Sequence, residues 1–244
     1  MSCGLWPALR GLSASAQLVL YDHRGHGRST GAVPRTTPLE GLADDAARLI
    51  HELRLGRVGI LGHSNGGFIA LQLALRHPRL VAKLVLADTA ASAAFRPIWR
   101  ANAQHRGTPA MLRALRSLWD DRIPDAATFR RLWRIVQPLY FHRPTPGRVD
   151  LVTAPLRFDV EARRRILRAY DRYDLRPKLS RISAPTLVVV GRHDWITPPP
   201  FAEELALEIR GARLEVFERS GHYPFVEEPR RFARLVGEFL AADT

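Results

Sequence analysis

Apolar positions along this chain fall into two alternating patterns. Short continuous runs at 17–21, 58–61, 83–88, 184–191 and 213–217 are aliphatic or β-branched and read as strands. Residues 68–75 carry helix-forming, mostly apolar side chains and read as a buried helix. From 91 to 180 the strand signals stop, and helical stretches are expected at 111–119, 127–136 and 160–170. Strands alternating with helices predict a parallel sheet flanked by helices, an α/β fold. The expected organisation is a core of 1–90 and 181–244 with a helical insertion, 91–180, after the 83–88 strand.

Composition narrows the possibilities. A chain of 244 residues can bury a full core. Its one cysteine, Cys3, permits no internal disulfide and favours a cytoplasmic setting. It also excludes a Cys₄ or Cys₂His₂ metal site, and no cofactor motif is present. No apolar run reaches the roughly 18 residues that span a membrane. The net charge is +13, and residues 91–180 hold 19 Lys and Arg against 8 Asp and Glu. Those arginines are scattered, without a nucleic-acid-binding motif, so solvated helix faces are expected and a nucleic-acid partner is not. Trp99, Trp119 and Trp133 are expected to pack the inserted helices, with room for one to line an apolar pocket.

The chemistry concentrates in Gly62-His63-Ser64-Asn65-Gly66, a G-x-S-x-G pattern between the 58–61 run and the 68–75 helix. A sharp strand-to-helix turn exposes a serine hydroxyl at a helix N-terminus, whose N–H groups favour an anion. Serine is a poor nucleophile at neutral pH and needs a base, which needs an orienting acid. In this motif class the order is Ser, acid, His. Asp194 follows the 184–191 strand, and His222 follows the 213–217 strand, so Ser64, Asp194 and His222 are expected to form a triad. Asp88, after the 83–88 run, is the rival acid; His193 is the rival base, and His63 reads as a spacer. The backbone N–H of Asn65 is the expected oxyanion donor.

Four segments carry a family resemblance: Asp22-His23-Arg24-Gly25-His26-Gly27-Arg28-Ser29, Gly62 to Gly67, Gly191-Arg192-His193-Asp194, and Ser220-Gly221-His222-Tyr223-Pro224-Phe225 with Glu227-Glu228-Pro229. The chain resembles the α/β-hydrolases, and within them the proline-iminopeptidase-like group. That resemblance implies a lid after the sixth strand. It also implies a second oxyanion donor from a turn that would lie upstream of Met1. The 17–21 run corresponds to the family's fourth strand, and a gap is expected where the third would sit. An N-terminal fragment is therefore the expectation.

The function expected is serine hydrolysis of a small-molecule ester or amide through an acyl-enzyme, without cofactor or metal. A proline-iminopeptidase-like aminopeptidase would act on short peptides and hold the substrate amine with lid carboxylates. The lid offers Asp120, Asp121, Asp125, Asp150, Asp159, Glu161, Asp171 and Asp174, none in a transferable motif, and Asp159 reads as a helix N-cap. The alternatives are a carboxylesterase or an enol-lactonase-like lactonase, and an impaired or non-catalytic binding protein on the same fold.

Overall fold

Four parallel strands order the core: β1 (Val58–His63), β2 (Val81–Ala87), β3 (Thr186–Gly191) and β4 (Arg213–Phe217), side by side in that sequence. The computed structural model describes residues 6–36, 38–120, 122–153 and 159–242. Ile60 pairs with Leu84, Val85 with Leu187, and Val189 with Glu215, so all four strands end at one edge. Every residue of β3 and all but one of β2 are buried, as expected of strands covered on both faces.

Helices cover the sheet. Helix α1 (Pro38–Glu52) and α2 (Asn65–Arg76) pack on each other, and α2 is buried from Gly67 to Ala74. An element this apolar belongs inside. Between β2 and β3 the described residues are helical: α3 (Phe95–Arg106), α4 (Pro109–Trp119), α5 (Ala126–Val136), α6 (Pro146–Thr153) and α7 (Val160–Ala169). Asp159 caps α7, its Oδ1 accepting from the N–H of Ala162 at 2.7 Å, and Asp125 does the same for α5 with Thr128. The two ends of this segment are stitched together by backbone. The N–H of Leu175 donates to Ala91 O at 2.8 Å, and that of Ala93 to Tyr173 O at 2.9 Å. After β3, α8 (Pro199–Glu208) returns the chain to β4, and α9 (Pro229–Ala241) buries Phe232, Val236 and Phe239.

Many arginines here do more than solvate helix faces. Arg163 donates to Leu118 O at 2.6 Å, Arg164 to Ile123 O at 3.1 Å and Arg165 to Val33 O at 2.5 Å. All three are only partly exposed and tie α7 to other elements. The tryptophans pack as expected, Trp99 stacked on Trp119 with centroids 5.7 Å apart and Trp133 on Phe129 at 5.4 Å.

One expected strand is absent. Gln17–Tyr21 runs outside the sheet, with Val19 46% exposed. An apolar cavity of about 730 Å³ lies between it and β1, walled by Leu18, Leu20, Ile60, Leu61, Ile69 and Leu240. Residues 17–21 therefore do not pair with β1. Apolar composition suits a strand, but a strand forms only against a neighbour's ladder, and β1 lies across the cavity. Strand β2 also starts and ends earlier than the 83–88 run, leaving Asp88 just past its end.

Candidate active site

Ser64, Asp88, Asp194 and His222 each lie beyond the carboxyl end of a strand, the edge at which ligands gather in open parallel sheets. Ser64 has φ 53° and ψ −123°, a conformation that costs a non-glycine residue about 1–3 kcal/mol and persists only when surroundings impose it. They do so here. The N–H of Ser64 donates to Ala87 O at 2.9 Å, and its carbonyl accepts from the N–H of Gly67 at 2.8 Å and the hydroxyl of Thr89 at 2.9 Å. Gly62 permits the turn, because a Cβ there would lie 2.5 Å from Gly66 O. At Gly66 itself a Cβ would meet nothing within 4 Å, so the last motif glycine is not sterically required. Asn65 opens α2, where the first N–H groups lack intrahelical acceptors. Its side-chain Oδ1 accepts from the Tyr170 hydroxyl at 2.8 Å, and burial pushes the Tyr170 phenol upward, keeping it a donor.

His222 Nδ1 donates to Asp194 Oδ2 at 2.8 Å, and both side chains are buried. Asp194 is held by three further bonds: Oδ1 accepts from the N–H of Ile196 at 2.8 Å and of Thr197 at 3.3 Å, and Oδ2 from the Thr197 hydroxyl at 2.8 Å. Burial pushes this carboxyl up, but the charge and hydrogen bond of His222 and the N–H of Ile196 outweigh it, and Asp194 stays below the usual carboxylate range. Asp194, not Asp88, is thus the carboxylate hydrogen-bonded to His222. His193 lies elsewhere, its ring stacked on His142 at 3.7 Å.

The loop carrying His222 is fastened at several points. Its N–H donates to Tyr140 O at 2.7 Å, and its carbonyl accepts from His63 Nε2 at 2.6 Å. His63 is therefore not a spacer. A carbonyl can only accept, so Nε2 carries the proton, and burial pushes the imidazole well below its ordinary value, keeping it neutral. Glu227 accepts from the N–H groups of Gly221 at 2.7 Å, His142 at 3.0 Å and Arg143 at 2.9 Å, joining the loop to the helical segment. Gly191 lies so close beneath Gly221 that a Cβ there would overlap the Gly221 carbonyl. The sequence offered Glu227 only as part of a motif; its role appears once the N–H groups it serves are located.

Asp88, Asp194 and His222 each bring one ligand-type atom within 4.8 Å of the others. A cation there would compete with the four hydrogen bonds that Asp194 already accepts and with the Nδ1 proton of His222. The set suits a hydrogen-bond chain better than a metal cage. Six acidic residues of the helical segment are engaged elsewhere. Asp120, Glu161, Asp171 and Asp174 pair with Arg122, Arg165, Arg96 and Arg176, and Asp125 and Asp159 cap helices. Asp121 lies outside the described residues. Among the described residues no helix is long and apolar enough to cross a membrane.

The family model for the alpha/beta hydrolase fold matches residues 3–229. "Putative carbamate hydrolase RutD" of Rhizobium rhizogenes is 30% identical over 246 residues, covering 97% of this chain and 87% of that protein. A pimeloyl-[acyl-carrier protein] methyl ester esterase of Neisseria meningitidis is 32% identical over 237 residues, covering 94% and 85%. Among solved structures, an esterase from Exiguobacterium antarcticum superposes with a TM-score of 0.80 at 26% identity, covering 99% of this chain and 88% of that one.

Proposed function

Because the chain belongs to the alpha/beta hydrolase fold family, we propose that it is a serine hydrolase that cleaves small carboxylic esters through Ser64, His222 and Asp194. The observation that carries this reading is the buried 2.8 Å hydrogen bond from His222 Nδ1 to Asp194 Oδ2, beside a strained serine elbow. That bond fixes the tautomer. With the proton on Nδ1, Nε2 keeps its lone pair to take the proton of Ser64 as the hydroxyl attacks the ester carbonyl.

The tetrahedral oxyanion collapses with the alcohol leaving, protonated by His222, and an acyl-Ser64 ester remains. Water, deprotonated by the same imidazole, then releases the acid. Asp194 stays ionised throughout and stabilises the imidazolium. The Asn65 N–H, at the positive end of α2, is the proposed oxyanion donor, and each such donor lowers the barrier by about 3 kcal/mol.

The helical segment 91–180 is the lid in this reading, with Tyr170 latching it to Asn65 beside the nucleophile. An ester is favoured over an N-terminal proline peptide because the described acidic residues of the lid that pair with arginines or cap helices are not free to hold an amine. Relatives named as esterases support the same choice. A cytoplasmic setting, argued from the single cysteine, belongs to this reading as well.

A panel of p-nitrophenyl esters, a lactone and a prolyl anilide tests the proposal. Ester turnover that disappears in Ser64→Ala supports it. Faster cleavage of the prolyl anilide overturns the substrate class, and ester turnover surviving Ser64→Ala overturns the nucleophile.

A further inference from the structure

Asp88 is a buried ionisable group at this sheet edge that the proposed reaction leaves unused. Its side chain is fully buried, and its Oδ1 accepts from the N–H of Gly191 at 2.9 Å. Its own N–H donates to Val189 O at 2.9 Å. Asp88 sits just past the end of β2 with φ +46°, in the left-handed region that few non-glycine residues adopt. The other oxygen, Oδ2, is buried and receives no hydrogen bond. Yet Asp88 lies in the same cluster as Asp194 and His222, with ligand-type atoms all within 4.8 Å.

Charge decides what that oxygen carries. Asp194 has four donors, one of them from an imidazole that becomes cationic during catalysis. Asp88 has a single side-chain acceptor bond from backbone and no cation of its own. The groups facing it are Asp194 after β3, then His222, Tyr223 and Glu227 after β4, and the two carboxylates, Asp194 and Glu227, are negative neighbours. Burial first, and then the charge of Asp194, push the Asp88 carboxyl well above its ordinary range, against which the Gly191 N–H pulls weakly. Two carboxylates this close in a dry site do not both ionise. A carboxylic acid, unlike a carboxylate, owns an O–H donor, and that donor needs an acceptor.

We propose that Asp88 keeps a proton on Oδ2 and donates it in a hydrogen bond to the Asp194 carboxylate, so that the Ser64–His222–Asp194 line continues into a neutral fourth member. The proposal rests on the triad reading above and deepens it. Asp88 is a positioning residue: it touches neither substrate nor reacting atoms. Its proton stays in place. The donated bond fixes the Asp194 rotamer and lowers the basicity of Asp194, so that the proton on Nδ1 remains with His222.

Two measurements test this. The first is the pH dependence of the rate of Ser64 phosphonylation by a fluorophosphonate, for wild type, Asp88→Ala and Asp88→Asn. An asparagine can accept from Gly191 and donate to Asp194, as a protonated aspartate does, so Asp88→Asn should rescue most of the loss in Asp88→Ala. That loss should be roughly tenfold or more, the scale of a misplaced catalytic group. The acidic limb of the Asp88→Asn profile should coincide with that of wild type. A limb displaced to lower pH by about one unit would mean that a negative charge had been removed from beside His222, and the proposal fails. Wild-type rates in Asp88→Ala would also overturn it.

The second is infrared spectroscopy at neutral pH. A protonated-carboxyl C=O stretch that Asp88→Asn abolishes is expected; its absence from the wild type overturns the proposal. This readout stands whether or not the serine reacts and whether or not Asp88→Ala folds. An unreactive wild type that shows the band would break the triad reading and leave the protonation of Asp88 intact.

Discussion

The imidazole of His63, one residue before Ser64, donates from Nε2 to the backbone carbonyl of His222 at 2.6 Å. The elbow thus grips the loop that carries His222. Replacing His63 by Phe keeps a ring against Phe225 and Tyr223 but removes the donor, leaving a buried carbonyl unsatisfied. The cost is expected to be about 1–3 kcal/mol of stability. If His222 is the base proposed above, a fall in kcat larger than any change in KM should accompany it, since the imidazole moves and the substrate pocket does not. Denaturant melts with steady-state ester kinetics check both.

His63 also sets a pH dependence. Burial pushes His63 and His23 well below the ordinary imidazole value of 6.5, so both stay neutral in the folded protein. Below pH 6.5 the unfolded chain takes up protons that the folded one refuses. Their contribution is complete above that value and is lost as pH falls toward the depressed folded values, at about 1.4 kcal/mol per pH unit for each proton. Asp88 has the opposite sign: its raised carboxyl contributes fully below 3.8 and loses that contribution as pH rises. The two histidines outweigh it between 3.8 and 6.5. Unfolding free energies measured from pH 7.5 down to about 5 should fall, and less steeply in His63→Gln.

Much of this site could be read along the chain. Ser64, Asp194 and His222 each follow an apolar run, and a parallel sheet sends the ends of such runs to one edge. Helical stretches expected at 111–119, 127–136 and 160–170 fall on the helices Pro109–Trp119, Ala126–Val136 and Val160–Ala169, and Asp159 is legible as a cap. What stayed hidden depends on distant partners. His63 serves a carbonyl 159 residues away, and nothing local to Gly62 or Ser64 announces it. Glu227 reveals itself only through the N–H groups of Gly221, His142 and Arg143. The 17–21 run misled because strand composition is local and strand pairing is not.

Glu227 should be a structural keystone of the His222 loop. Its three accepted N–H bonds make Glu227→Ala destabilising by about 3 kcal/mol or more, since each orphaned donor is buried or partly so. Glu227→Gln keeps one acceptor oxygen and should fall between. Thermal unfolding of both variants ranks them.

The Tyr170 hydroxyl bond to Asn65 predicts a milder effect. Tyr170→Phe loses one neutral hydrogen bond, about 1 kcal/mol, where the helical segment meets the elbow. If the proposed lid closes on substrate there, KM should rise while the maximal rate of acylation is nearly kept. Pre-steady-state acylation kinetics separate the two.

Asp194→Asn leaves the shape of the proposed triad but not its charge, and the amide can present a donor to His222 Nδ1 and hold the wrong tautomer. Ester kcat should drop by about four orders of magnitude, the known scale for this change in a serine protease triad. Asp88→Asn should not approach that loss.

The most direct test of the central claim is labelling of the folded protein with a fluorophosphonate probe, followed by peptide mass spectrometry. An adduct confined to Ser64, abolished in Ser64→Ala and slowed by orders of magnitude in His222→Ala, is the result predicted here. Folded protein that takes up no label, or takes it up equally without His222, would contradict it.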